Sequence, residues 1–321
     1  MLNSIRVEKL RGIREGQLDG LTRVSVLVGP NGCGKSTLLD AMLIGGSDNV
    51  GFRLAQVTRE RSPFSLVWLV HRLDAARDIE LALSGVGGTR VTGMEVSRHG
   101  IQLLVTTTTG GVEKKTSGVW RPSSPSVDLG LGEFDFNTSF LGGFGLAAPQ
   151  PLETAFSAHV AGGTRRLVED LLRELLPELE RLEVLVEQDK GAQLHAVFPS
   201  HSVPVALTGQ GMLLVVRAAL RLSSVRRGTV LIEEPETHQH PASMRLLAQL
   251  FFAAARRGVQ LVISTHSIEF IDMLAAAANG DDELAWLSVH RLKLTDGLLS
   301  VSNIPGPDVA FARSVIHDDL R

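Results

Sequence analysis

Hydrophobic positions along the chain fall into three regimes. Near the N-terminus two β-rich runs, Ile5–Leu10 and Val24–Val28, flank a Gly-containing turn, and the second leads straight into a Gly-rich loop. After that loop Ser36–Leu43 has the apolar spacing of a helix, giving the order strand, loop, helix. From about Phe64 to Val119 the pattern becomes β-like, with runs such as Ser65–Leu69 and Ile101–Thr108 between Gly-rich turns, which predicts an antiparallel sheet. Gly130–Pro151, rich in Gly and Pro and carrying Phe134, Phe136, Phe140 and Phe144, reads as a loop or lid without regular structure. Leucines at 167, 171, 172, 175, 176, 179 and 182 give Thr164–Leu185 a helical pattern that Pro177 interrupts, so two helices are expected there. Sustained heptads are absent and no long coiled-coil arm is predicted. In the last third, strand-like runs (Val230–Ile232, Gln260–Ile263, Ala285–Val289) alternate with helix-like runs (Met212–Leu222, Ala242–Ala255, Ile268–Ala278), the pattern of a mostly parallel α/β sheet.

Composition narrows the class. A chain of 321 residues with 44% hydrophobic and 21% charged positions has ample material for a core and no tract that suggests disorder. The N-terminal stretch lacks the basic segment, apolar run and cleavage site of a secretory signal, and no segment approaches the roughly 20 apolar residues of a membrane span. Cys33 is the single cysteine, which excludes an intrachain disulfide and a cysteine-based zinc site and fits a reducing cytoplasm. A cytoplasmic protein with no membrane contact is expected. The net charge of −3 removes the strongly basic nucleic-acid binders. What remains are local doublets, Arg165-Arg166, Arg226-Arg227 and Arg256-Arg257, which read either as phosphate contacts or as solvated helix ends.

Three motifs carry chemistry. Gly29-Pro30-Asn31-Gly32-Cys33-Gly34-Lys35-Ser36-Thr37 is a full G-x-x-x-x-G-K-S phosphate loop placed between a strand and a helix. Its glycines let backbone N–H groups point at phosphate oxygens, Lys35 neutralises the β- and γ-phosphates, Ser36 offers a hydroxyl to magnesium, and the following helix adds its N-terminal dipole. Cys33 reads as a small filler of that loop rather than a nucleophile. In Thr229–Glu236 an apolar strand ends in adjacent carboxylates: Glu233 is placed to hold magnesium through water, and Glu234 to polarise the attacking water as general base. Val262–Ser267 is a second buried strand ending in a polar cluster, where His266 could contact the γ-phosphate.

Together these motifs resemble the ABC ATPase heads of the SMC/RecF/OLD group. Glu233–Pro241, EEPETHQHP, is particularly similar to the OLD-like branch of AAA-type ATPases, as is the opening IRVEKLRGI at Ile5–Ile13. The resemblance covers about Leu2–Leu43 and Val203–Leu274. It implies an α/β P-loop NTPase of ABC-head type with a mixed, largely parallel core sheet, an antiparallel β-subdomain and a helical lid insertion. Within one domain of 1–321, residues 1–60 and 200–321 would form the core, 61–130 the β-subdomain and 131–199 the lid. ATP and Mg2+ are the implied ligands. Asn31, Gly32, Cys33, Gly34, Lys35, Ser36 and Thr37 would line the nucleotide, Ser36 and Glu233 would hold the metal, and Glu234, His266 and Lys35 would serve catalysis.

The family also implies a signature that reaches across a dimer to the partner's ATP. Leu207-Thr208-Gly209-Gln210-Gly211-Met212 stands in that place and resembles the Gly-x-Gly variant, so Gly209, Gln210 and Gly211 are candidate nucleotide contacts in a homodimer. Read without the family, the same residues are a turn before a helix. The transporter-type LSGGQ is absent and the insertion before Gly209 is long, which disfavours a transporter ATPase. Glu233 stands where the wider family has aspartate, Gln239 where it has leucine, and Gln150 is the candidate for the lid-loop glutamine.

About 55 residues follow His266, too few for the TOPRIM nuclease domain of OLD-family nucleases, so the chain is not expected to cut nucleic acid itself. Asp281-Asp282-Glu283 reads as a solvated helix cap. Two functions fit: a mechanochemical ATPase that works on DNA or a DNA-bound complex, and a slow sensor-scaffold that holds or releases an effector such as a nuclease or toxin. Stand-alone OLD-like ATPases resemble components of anti-phage or toxin systems, an analogy that supports the second as the alternative to the first.

Overall fold

The continuous apolar runs become strands buried on both faces. The computed structural model describes residues 1–61, 66–73, 78–122, 129, 138–141, 151–173, 176–187, 191–237 and 239–313. At its centre lie β3 (Val24–Val28), β12 (Gly228–Glu233) and β13 (Val259–Ser264), with β13 pairing in parallel with both of the others. Val24, Val26, Val28, Val230, Ile232, Leu261 and Ile263 point into one core, and Leu27, Leu231 and Val262 into the other. Such strands carry no polar face, because helices cover both sides. One side holds α1 (Lys35–Gly45) and α2 (Val50–Arg61); the other holds α5 (Gln210–Ser224), α6 (Pro241–Arg256) and α7 (Ile268–Ala276).

The sheet extends well beyond this centre. Its remaining strands are β1 (Leu2–Leu10), β2 (Ile13–Leu18), β4 (Asp78–Gly85), β5 (Gly88–Val96), β6 (Ile101–Thr109), β7 (Val112–Trp120), β8 (Thr138–Leu141), β14 (Leu287–Thr295) and β15 (Leu298–Pro305). Among the described residues the order is β7-β6-β5-β4-β1-β2-β15-β14-β3-β13-β12-β8, twelve strands in all. The meander β4–β7 is antiparallel, as its pattern predicts, and β4 continues the core sheet through β1. Ile79, Leu81 and Leu83 are buried while Asp78 and Glu80 are exposed, the alternation of a sheet with one wet face. Between β8 and β12 the chain forms α3 (Leu152–Ala161), α4 (Arg165–Arg173) and a separate antiparallel sheet of β9 (Arg181–Glu187), β10 (Gly191–Val197) and β11 (Ser202–Pro204). Short helices α8 (Asp281–Leu284) and α9 (Gly306–Phe311) complete the C-terminal part. No helix among the described residues is long and apolar enough to cross a membrane.

Three expectations are corrected. Thr138–Leu141, inside the stretch read as loop or lid, is a strand that pairs in parallel with Thr229–Ile232; four residues between glycine-rich flanks gain their ladder only once β12 lies beside them. The second helix expected in Thr164–Leu185 is strand β9. Beyond Pro177 the chain pairs with β10, and Leu182, which continues the helical count, becomes a buried position of a strand. Leu66–Leu69, in the run read as β, is a 3-10 turn.

Candidate functional site

The phosphate loop ends where Gly34 adopts φ 101°, a left-handed conformation suited to glycine, and α1 starts at the next residue. Lys35 is buried, and its Nζ donates to the carbonyl oxygens of Gly29 at 2.7 Å and Pro30 at 3.2 Å, so the ammonium lies inside the curve of the loop. Cys33 is also buried, 3.9 Å from Lys35 Nζ, in the filler position expected of it. Asn31 and Gly32 are exposed at the rim, and Ser36 and Thr37 are half-buried in the first turn of α1. Further along α1, the buried Asp40 carboxylate accepts from the Arg11 guanidinium, which ties the β1–β2 corner to the loop's helix.

Strands remote in sequence bring the acidic and histidine motifs to this loop. Ser36 Oγ donates to Glu233 Oε1, so a hydroxyl at the start of α1 meets the carboxylate ending β12. Glu234 has φ 44°, a left-handed backbone that costs a non-glycine residue about 1–3 kcal/mol. It is held there by its N–H bond to Ser264 O at 2.9 Å and by Thr237 N donating to Glu234 O at 3.1 Å. Strain of this kind gathers where side-chain direction matters. Here it aims the Glu234 carboxylate at His266, with Oε1 3.1 Å from Nε2.

Glu236, to which the sequence assigns no role, binds the histidine loop. Glu236 Oε1 accepts from Thr265 Oγ1 at 2.7 Å and from the His266 backbone N–H at 2.9 Å. A carboxylate two residues past the candidate base thus fastens the histidine loop to the acidic turn. Nothing in the local spacing signals it, since the contact exists only when β12 and β13 are neighbours. Ser267 then closes the loop as N-cap of α7, its Oγ accepting from Phe270 N at 3.1 Å.

Residues 157–272 match the family model described as "AAA domain, putative AbiEii toxin, Type IV TA system", a span that holds the signature turn, the acidic turn and His266. No curated protein matches the chain. Among solved structures it is similar to an SMC head bound to the C-winged helix domain of ScpA, with TM-score 0.56, 12% identity and 95% of this chain covering 97% of that one. It is also similar to an Smc head domain with an extended coiled coil bound to the C-terminal domain of ScpA derived from Pyrococcus furiosus, with TM-score 0.54, 10% identity and 99% of each chain covered. The fold is that of an ABC-type ATPase head of the SMC/RecF-like group. It carries a nucleotide-binding P-loop.

The residues expected to form the signature open α5, with Gly209 at φ 90° as its N-cap. Thr208 Oγ1 and N both bond back to Val205 O, and Leu207 is 76% exposed. Gly211 has a packing role that sequence spacing does not reveal: a Cβ there would fall 2.0 Å from Ser243 Oγ. The first turn of α5 therefore rests on the first turn of α6, just beyond the acidic turn. Gln150 lies outside the described residues, as does most of the stretch read as a lid. Two arginine doublets are engaged within the head. Arg165 donates to Glu169 and to Leu182 O, Arg256 to Glu283, and Arg257 to Leu222 O. The Asp281-Asp282-Glu283 run opens α8, and Glu283 is no simple solvated cap. The Arg256 guanidinium, helped by the Asn279 N–H, holds its carboxyl below the usual range against a weaker opposing effect of burial.

Proposed function

We propose that the chain binds ATP with magnesium at the phosphate loop, hydrolyses it with Glu234, and closes as a homodimer around two shared nucleotide sites to gate a protein partner. The observation that carries this reading is the convergence of Ser36, Glu233, Glu234 and His266 through the contacts Ser36–Glu233 and Glu234–His266. Asn31 to Thr37 line the phosphates in this reading, and Lys35 turns from the loop carbonyls to the β- and γ-phosphates. Ser36 and Glu233 already share a hydrogen bond, so their oxygens fit one magnesium ion, a cation that takes oxygen donors and keeps several waters. Magnesium held there by Ser36 and Glu233 would supply positive charge against the charge developing on the phosphate. Glu234 takes the proton of the attacking water, and His266 contacts the γ-phosphate from the adjoining strand.

Gly209, Gln210 and Gly211 present the N-terminus of α5, a ready anion site, to the ATP of a second copy. A two-fold interface completes both sites at once. The chain acts as one ATPase domain, in which 1–60 and 200–321 form the core and 61–130 and 131–199 the β-subdomain and lid. A protein partner is favoured over DNA because Arg165, Arg256 and Arg257 are committed inside the head. The ScpA domains bound to the similar heads support a protein partner, which in this reading is an effector or a regulatory subunit. The matching family description names a type IV TA system, and we propose a slow-turnover scaffold in such a system as the form of this function.

The test is light scattering of a Glu234→Gln variant with and without ATP and magnesium. That variant is expected to bind ATP, to hydrolyse it on the order of 100-fold more slowly than the wild type, and to shift to dimer only with ATP. Gln210→Glu is then added. A carboxylate in the first turn favours the helix by the dipole rule yet repels a phosphate brought to it, so the dimer is expected to be lost while the monomer stays folded. A strict monomer under all conditions, or a dimer indifferent to Gln210→Glu, defeats the shared-site reading.

A further inference from the structure

The acidic turn and the histidine loop are tied together more tightly than pairing of β12 with β13 requires. The ladder ends with Glu233 opposite Ser264, and Glu234 N adds a bond to Ser264 O. Past that point the two segments diverge, and the Glu236 carboxylate spans the gap. Its Oε1 takes two donors from the histidine loop, the Thr265 hydroxyl and the His266 N–H. Thr265 is fully buried; its own N–H donates to Leu27 O at 3.1 Å in the strand that feeds the phosphate loop, and its hydroxyl accepts from Ser267 N at 3.0 Å. Glu236 Oε2 is buried and makes no hydrogen bond among the described residues, so the carboxylate is held through Oε1 alone.

A buried carboxylate oxygen is costly unless its bonds repay it. Here both bonds fix a single object, the backbone at His266, whose ring meets Glu234. The 3.1 Å approach of Glu234 Oε1 to His266 Nε2 therefore depends on a third carboxylate that need not touch nucleotide. We propose that Glu236 is a positioning residue for hydrolysis, which sets the His266 loop in register with Glu234 so that both face the same phosphate. This rests on the reading of Glu234 and His266 given above. Because Oε1 does the holding, glutamine can keep the clamp through its carbonyl oxygen, whereas alanine removes it.

The experiment measures ATP turnover, ATP affinity and thermal stability of the full chain as wild type, Glu236→Ala, Glu236→Gln, His266→Ala and the double variant Glu236→Ala/His266→Ala. Misplacement of a reacting group by about 1 Å costs up to roughly 100-fold, so Glu236→Ala is expected to lose on the order of 10- to 100-fold in kcat. Its ATP affinity should stay within about twofold of wild type, and Glu236→Gln should recover most of the rate. The double variant should turn over no more slowly than His266→Ala, since residues acting through one another are not additive. Wild-type turnover by Glu236→Ala overturns the proposal. So does multiplication of the two losses in the double variant, or a fall in affinity that parallels the fall in rate. If Glu236→Ala does not fold, Thr265→Val removes one of the two donors and serves in the same cycle, where its smaller loss should vanish in the His266→Ala background. Absence of turnover in the wild type would sink the parent reading and this one with it, an outcome distinct from an active wild type indifferent to Glu236.

Discussion

At the ends of β3, β12 and β13, polar side chains bind one another across long sequence separations: Ser36 to Glu233, Glu234 to His266, Glu236 to Thr265. At the start of α5 the pattern differs, with Leu207 76% exposed and Thr208 bonding only to Val205, three residues away. The first region is organised by bonds within its own chain, as preorganised reacting groups require. The second is anchored where Gly211 sits against Ser243. Under the proposed shared site, the first half would be held by its own chain and the second offered to a second copy.

The largest effect that could break this comparison is Lys35→Ala. Two charge-assisted hydrogen bonds to phosphate would be lost, so ATP affinity is expected to fall roughly 1000-fold, read by equilibrium binding on a variant whose circular dichroism is unchanged. Unaltered affinity would remove the phosphate loop from the nucleotide site.

A second effect concerns the scaffold beneath the strand ends. His290 on β14 pairs in register with Leu27 of β3 and is fully buried, and burial lowers its pKa to about 4 from an ordinary 6.5. The unfolded chain binds a proton between those values that the folded chain refuses, so stability is full above about pH 6.5 and is lost as pH falls toward 4. The loss amounts to on the order of 3 kcal/mol. Denaturant unfolding at pH 7 and pH 4.5 should show a steeper loss for the wild type than for His290→Leu; equal slopes would assign the acid sensitivity elsewhere.

The smallest effect separates packing from ligand contact at the signature. Gly211→Ala places a methyl into Ser243 and is expected to cost about 2 kcal/mol of thermal stability while leaving monomer affinity for ATP unchanged. A stable Gly211→Ala variant would mean that α5 shifts easily on α6.

Much of this was legible in the chain. Gly29–Thr37 declares a phosphate loop because its glycines, lysine and hydroxyl must follow one another locally. Val24–Val28, Val230–Ile232 and Gln260–Ile263 point to strands buried on both faces because short, mostly apolar runs suit parallel strands under two layers. The pattern failed where partners are remote. Thr138–Leu141 has too few residues to announce itself, and Arg181–Glu187 follows leucines whose spacing favours a helix until β10 supplies a ladder.

What the sequence by itself determined is thus the kind of each element and the chemical groups at its ends, since hydrophobic period and turn chemistry act over a few residues. Only the tertiary structure decided which groups meet. Ser36 finds Glu233 at a separation of 197 residues, and Glu236 finds Thr265 and His266 at 29 and 30. Those pairings follow from β13 lying between β3 and β12, an order set by which apolar faces bury one another across the whole sheet. Spacing within any one motif contains no measure of it.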